Sequence, residues 1–485
     1  MKSFTKLIAL MLCVCMGVAS FAGCKEPVNN SSDANSQTNN SQTDNSSPSK
    51  EDRTHPADVM FDNNLETYWK PSNKESDSIE FSFDKEKTFN SIYFVENGEK
   101  VTDCFVEIKS DGEWVEVFHS DEMGTRTAIL DKSYTAKDVR LTVTIPDEDG
   151  GVCEMTFDEK GKVAGTSNFR TLGYYTASRI EWARETNFDE LKYVTDLILF
   201  QFGSWDKNGN FIWDEQYNEE FLKQTLEELE EILDGRKVTL WFCLQNYHKA
   251  STNDTKELFA TDASIKKLTQ FSIDICKKYG FAGVDIDYEY PSSVEAWENF
   301  DNFLSYAAKE LHKNNLKLTA AMSPGMNTSN LSAETAALID YVNIMSYDMQ
   351  GVDKTGKRNS PAWAGQYSLD YFTKIGFKPE QLLLGLPYYM RFYNPDTGTG
   401  SGDGGYKKAV NRWRGAVKPW MNKVITPTGI YTFNGPDMIR EKTYFAMANG
   451  MAGTFNWVIG CDVPHSDPRS LSLTVQKTIE RFQSK

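Results

Sequence analysis

The run GVDIDYEYP, residues 283–291, sets three carboxylic acids, Asp285, Asp287 and Glu289, at alternate positions in an otherwise apolar stretch. Its Val, Ile and Tyr content predicts a strand, and strand side chains alternate between faces. The three acids therefore share one face, and Val284, Ile286 and Tyr288 take the other. Carboxylates crowded on a buried face raise one another's proton affinity and destabilise the fold, so chance placement is a poor explanation. Such a set can divide its work: one acid keeps a proton to donate near neutral pH while a neighbour stays ionised. The three should titrate as a coupled group.

A scaffold must aim these acids at a substrate. From residue 165 onward short apolar runs alternate with amphipathic segments. The candidate strands are TLGYYT, VTDLILFQFG, KVTLWFCLQ, FAGVDIDYEY, KLTAAMSP, YVNIMSYD, QLLLGLPYY and MAGTFNWVIG. Between them lie segments such as VEAWENFDNFLSYAAKELHKN, where Trp297, Phe300, Leu304, Ala308 and Leu311 recur at helical spacing. Eight such units predict a (β/α)₈ TIM barrel, with a doubly wound sheet as the weaker alternative. A barrel works at the C-terminal ends of its strands, which puts Glu289 nearest solvent. Met322, Tyr347, Asp348, Tyr388, Trp457 and Asp462 also fall late in their strands, so several strands aim polar or aromatic groups at one mouth.

The rest of the chain reads as export and tether. Residues 1–24 carry Lys2 and Lys6 before an apolar core, the pattern of a secretory signal. The end, Phe21-Ala22-Gly23-Cys24, resembles a bacterial lipoprotein lipobox, with Phe21 in place of the usual Leu. That resemblance implies a lipidated Cys24 and an extracytoplasmic, membrane-anchored protein at a bacterial cell surface. No later apolar run reaches the roughly 20 residues that span a bilayer. Residues 25–52, rich in Ser, Asn, Gln and Thr, predict a flexible linker. Cys104, Cys153, Cys243, Cys276 and Cys461 show no metal-ligand spacing, so neither zinc nor a disulfide framework is expected. A net charge of -17 without a basic run argues against a nucleic-acid partner and suits a neutral polysaccharide.

Residues 53–147 alternate apolar and polar in short runs, predicting an all-β sandwich. The order ADVMFDNNLETYW, IEFSFDKEKTFNSIYF, DCFVEIKSDGEWVEV, KDVRLTVTIP resembles the discoidin-like domain of the coagulation-factor type, often a sugar-binding module in bacterial glycosidases. The resemblance implies a structural calcium loop at Asp62, Asn64 and Thr67, whose oxygens suit that ion. Trp69 is expected in the core. The stretch 147–167 reads as a polar connector.

GVDIDYEYP is similar to the family 18 glycoside hydrolase signature, DGxDxDxE followed by Tyr-Pro, and the SP, MSYD, LGLPYY and late Trp motifs resemble that family's other strands. The resemblance covers about Thr171 to the end. It implies a substrate-assisted, retaining hydrolysis, an exception to the two-carboxylate scheme, in which the substrate's 2-acetamido oxygen is the nucleophile. Glu289 would be acid then base, Asp287 would steady the acetamido group, Asp285 would modulate Asp287, and Tyr347 would hydrogen-bond the acetamido oxygen. Trp457 would form the floor, with Met322, Met345, Asp348 and Tyr388 lining the pocket. Catalysis would need no cofactor, and the partner would be an N-acetylglucosamine-containing polysaccharide or glycan. Ala282 replaces the signature's first acid, which should leave Asp285 less constrained. Residues 394–429 look too short for an extra α/β insertion, which predicts a shallow cleft and internal cleavage of chitin. An endo-β-N-acetylglucosaminidase acting on N-glycans or peptidoglycan is the alternative, and a non-catalytic lectin a second one.

Overall fold

The computed structural model describes residues 56–247, 257–349 and 358–484. The signal segment with Cys24 and the linker lie outside them.

Near the N-terminus five antiparallel strands, Asp77–Asn97, Asp103–Ser110, Glu113–Ser120, Arg126–Thr144 and Gly151–Asp158, pair in the order third, second, fourth, first, fifth. The all-β reading holds, but the strands form one continuous sheet instead of two separate ones. Its two long strands lose register at Ser82/Lys87 and Phe89/Ser91, where irregular pairing bends a ladder. Asp111 and Gly112 both take left-handed backbone (φ 50° and 88°), closing a two-residue hairpin that pairs Ser110 with Glu113. Phe89, Ile92, Phe94, Val106, Val139 and Leu141 fill the core, and Trp69 is buried beside them. The fifth strand, GVCEMTFD, lies in the stretch read as a polar connector.

The second unit is a closed barrel of eight parallel strands: Arg170–Thr176, Asp196–Phe200, Thr239–Tyr247, Gly283–Glu289, Lys317–Met322, Tyr341–Ile344, Leu382–Pro387 and Gly453–Trp457. Each pairs with its neighbours in sequence, and the eighth closes on the first. The fourth strand shows why this sequence folds so. Val284, Ile286 and Tyr288 are buried on its outer face, and Gly283 lies so close to the fifth strand that a Cβ would stand 2.0 Å from the Lys317 carbonyl oxygen. The Val294–Lys313 helix starts at Ser293, whose hydroxyl accepts the Ala296 amide at 3.1 Å. It buries Trp297, Phe300, Leu304, Ala308 and Leu311, the residues its periodicity singles out. Truncating Phe303, wholly buried on the same face, would cost about 3–5 kcal/mol.

The seventh connection is not bare. Strands Tyr389–Asn394, Thr399–Gly405, Lys423–Thr426 and Gly429–Thr432 form a small antiparallel sheet, with a helix at Tyr406–Trp413. Residues 394–429 thus carry an inserted sheet and helix although they look too short for one, and the shallow cleft no longer follows from their length.

No helix among the described residues is long and apolar enough to cross a membrane. The two units meet along the sheet domain's third and fourth strands. There His119 stacks on Trp420 with centroids 3.7 Å apart, and Asp121 accepts the Asn422 amide at 2.9 Å.

Candidate active site

Asp285 lies at the bottom of the acid row and is fully buried. Four strands supply its donors: Tyr174 Oη at 2.9 Å, Thr319 Oγ1 at 2.6 Å, Asn343 Nδ2 at 2.9 Å and Cys243 Sγ at 3.6 Å. Burial pushes its proton affinity up and these donors hold the rise back. The expectation that Ala282 leaves Asp285 loosely held is therefore wrong, because the donors come from other strands. Cys243, Asp285 and Thr319 share one rung of the ladder.

Asp287, one pleat higher and 2% exposed, lies opposite Gln245 and Ala321 on the flanking strands. Its charge reaches Tyr174, Tyr290 and Tyr347. Glu289 ends the strand, partly buried at the mouth. Burial is the main cause that raises its pKa to about 7; a hydrogen bond from Tyr290 lowers it and the charge of Asp348 raises it. Burial is thus the largest cause that keeps this proton.

Tyr347 stands opposite. Gly385 makes room for its ring, since a Cβ there would lie 2.9 Å from it. The ring meets Tyr389 and Phe455 edge-on at 5.7 and 6.1 Å. Burial, then the charges of Glu289, Asp287 and Asp348, keep the phenol protonated and hence a donor. Trp457 is partly buried, with edge contacts to Tyr174 at 5.3 Å and Phe200 at 5.0 Å. Met322 and Met345 are buried side by side, the Met345 amide donating to the Met322 carbonyl at 2.9 Å. Asp348 is 46% exposed, accepts from Tyr389 Oη at 2.8 Å and pairs with Arg391 at 3.4 Å.

Two residues singled out from sequence go elsewhere. Tyr388 is 1% exposed and faces the charges of Asp462 and Glu190 instead of the acid row; Tyr389 is the member of the pair that reaches Tyr347 and Asp348. Asp462 is fully buried and accepts from the Val463, Leu471 and Ser472 amides and the Ser470 and Ser472 hydroxyls, all at 2.8–3.0 Å. It anchors the start of the Leu471–Phe482 helix.

Tyr290, Tyr174, Thr319, Asn343, Cys243, Tyr389 and Arg391 had not been singled out from the sequence. Tyr290 carries the only local signal, its place beside Glu289, and its hydroxyl also meets Ser323 Oγ at 3.1 Å.

Asp62, Asn64 and Thr67 do come together, but as a turn. Asp62 accepts the Asn64 amide and the Thr67 hydroxyl, each at 2.9 Å, and Asn64 Oδ1 accepts the Glu66 amide at 3.2 Å. Their side-chain oxygens serve local donors, and among the described residues no group of three or more His, Cys, Asp or Glu could hold a metal. The calcium loop expected from the resemblance gains no support from this turn. Two cavities lie away from the acids: one of about 540 Å³ on the sheet domain, lined by Phe61, Phe81, Phe83, Trp114 and Phe157, and one of about 500 Å³ between the units.

Comparison with known proteins agrees with the barrel fold. Residues 170–462 match the model of glycosyl hydrolases family 18, and residues 38–156 that of the F5/8 type C domain. Curated relatives include probable chitinase 2 of Drosophila melanogaster, 26% identical over 246 residues (41% of this chain, 50% of that protein). Another is the class V chitinase of Arabidopsis thaliana, 27% identical over 243 residues (41% and 63%). The chain thus spans about half to two thirds of these relatives' length. Similar solved structures include the GH18 chitinase ChiB from the chitin utilization locus of Flavobacterium johnsoniae: TM-score 0.53, 19% identity, 66% of this chain and 95% of that one. The chitinase-like agglutinin of Robinia pseudoacacia gives 0.52 and 20%, over 63% and 98%. With an acid row rising to the mouth of an eight-stranded barrel and a family model spanning that barrel, the chain belongs to the glycosyl hydrolases family 18, and an F5/8 type C domain precedes the barrel.

Proposed function

We propose that this protein hydrolyses β-1,4 linkages of N-acetylglucosamine polymers, as a chitinase does, with net retention and assistance from the substrate. The observation that carries the reading is Glu289: a carboxyl at the barrel mouth that holds its proton to about pH 7, with Asp287 one pleat below and the Tyr347 phenol opposite. Glu289 gives its proton to the glycosidic oxygen as the C1–O bond breaks, and the substrate's acetamido oxygen closes on C1. Asp287 accepts a hydrogen bond from the acetamido N–H and balances the cyclic oxazolinium charge, while Tyr347 donates to the acetamido oxygen. Glu289, now a carboxylate, takes a proton from water as that water opens the ring at C1. Asp285 steadies Asp287 from below, and Trp457 offers an indole face to the reactive sugar. The cycle balances with no metal or cofactor.

Tyr389 and Arg391 bring the insertion to the site's rim, so internal cutting no longer follows from the lack of one. The aromatic groove of the sheet domain is where that domain would hold a glycan. Lipidation at Cys24 and placement at the cell surface rest on the FAGC sequence and the polar run behind it. Cys24→Ser should move the protein from the membrane fraction to the medium.

The test is mass spectrometry of products from chitin oligosaccharides, a high-mannose glycoprotein and peptidoglycan, with Glu289→Gln as control. N-acetylglucosamine oligomers released only by the wild-type protein support the reading. Released N-glycan or peptidoglycan fragments instead would assign the alternative substrates, and binding without any product would make the protein a lectin.

A further inference from the structure

Tyr347 and Asp348 follow the sixth barrel strand on chain that is not itself strand, so something else must fix them. Residues 358–360 run back beside them. The Met349 amide donates to the Asn359 carbonyl at 2.9 Å, the Asp348 amide to Asn359 Oδ1 at 2.8 Å, and the Ser360 hydroxyl to the Ser346 carbonyl. Asp348 has φ 56°, a left-handed backbone that Asp takes more readily than most residues and that these hydrogen bonds fix here. The Ser360 carbonyl is gripped in turn by Lys442 Nζ at 2.7 Å and Asn434 Nδ2 at 2.9 Å, both groups buried.

Arg358, next to Asn359, reaches out of the barrel to the other unit. Its Nη2 lies 2.8 Å from Glu99 and its Nη1 3.1 Å from Glu122, both in the sheet domain. The path then returns: Glu122 lies 3.9 Å from Arg126, and Arg126 3.6 Å from Glu441, the neighbour of Lys442. The Glu122, Arg126 and Glu441 side chains are 12%, 4% and 10% exposed. Buried pairs of this kind add little net stability, but losing one partner strands the other charge, so the arrangement favours one geometry over alternatives.

We propose that the sheet domain is a positioning part of the catalytic apparatus: Glu99 and Glu122 hold Arg358, and Arg358 holds the Tyr347–Asp348 turn against Glu289. The proposal rests on the reading of Glu289 as the catalytic acid. On it, the sheet domain acts on turnover whether or not it binds sugar.

The experiment uses the full chain on a chitin oligosaccharide, with Arg358→Ala, Arg358→Lys, Glu122→Gln and the Arg358→Ala/Glu122→Gln double variant. Arg358→Ala should lower kcat about tenfold, as small misplacements of catalytic groups do, and leave KM within about a factor of two. Lys restores the charge but not the two-pronged fork, so it should recover only part of the loss. Glu122→Gln should cost less in the Arg358→Ala background than in wild type, because part of its effect runs through the shared contact and the rest through Arg126. Amide hydrogen exchange gives a readout independent of substrate: the peptide carrying residues 345–349 should exchange faster in Arg358→Ala. Wild-type protein no more active than Glu289→Gln would remove the functional reading and leave the exchange result to judge the tether. Active wild-type protein matched by Arg358→Ala in both kcat and exchange would overturn the tether itself.

Discussion

Among the described acids of the barrel unit whose proton affinity burial raises, two pairs do different things. Asp285 and Glu289 rise along the fourth strand; Glu190 and Asp462 meet where the chain leaves the eighth. Burial is the first cause in every case. The difference lies at Glu289, since Asp285 is met by four donors much as Asp462 is. Asp462 is saturated by amides and hydroxyls at a helix start, and Glu190 accepts the Gly460 and Asp462 amides at 2.9 and 3.0 Å. For Glu289, at the mouth, the hydrogen bond that acts on its proton comes from the Tyr290 hydroxyl alone among the described residues. A perturbed proton affinity therefore marks burial; a catalytic acid needs in addition a free direction in which to pass its proton.

The sharpest test of that contrast is Glu289→Gln, which should cost about a thousandfold in kcat. Its effect on stability has the opposite sign. Glu289 titrates at about 7 in the folded protein against 4.5 for an ordinary glutamate, so its contribution to stability is complete below pH 4.5 and lost as pH rises through 7. Thermal melts should place the Gln variant above wild type at about pH 8, beyond both values, and no such crossing would undo the assignment of a costly, desolvated carboxylate. Asp462→Ala should do the reverse: about 3 kcal/mol of stability gone in chemical denaturation, with kcat per folded molecule unchanged at low temperature. If instead it killed turnover without weakening the fold, the two pairs would not differ in this way.

A finer cut comes from Asp348→Asn. Removing that charge lowers the pKa of Glu289, so the alkaline limb of the rate profile should move to lower pH, on the order of half a unit. A limb that stayed put or rose would mean that Asp348 does not act on Glu289. The smallest contrast is between adjacent tyrosines. Tyr389→Phe loses the bond to Asp348 and should cost a few-fold in kcat, whereas Tyr388→Phe should stay within about a factor of two.

The eight barrel strands were legible because each is a bounded apolar run followed by a helical period. The insertion was not, since Thr399–Gly405 reads TGSGDGG and gains its strand form only by pairing with Tyr389–Asn394. The fifth strand of the sheet domain was lost for a related reason: GVCEMTFD sits at the end of a polar stretch and owes its place to pairing with Asp77–Asn97. Within the site, the acids were visible because their spacing is local. Their donors Tyr174, Cys243, Thr319 and Asn343 sit on four other strands, and only the register between strands brings them to Asp285. Tyr388 and Tyr389 were exchanged because neighbouring residues face opposite ways, and the pattern PYY does not say which one turns inward.

Cys243, which donates to Asp285, is one of five free thiols in the described residues, all buried. Burial pushes Cys276 and Cys461 up to about 12 and raises the others, so almost no thiolate exists at neutral pH. Among these five thiols a maleimide therefore has nothing to attack until the chain opens, and the order in which they are labelled reports which unit opens first. Cys104 and Cys153 record the sheet domain, and Cys243, Cys276 and Cys461 the barrel.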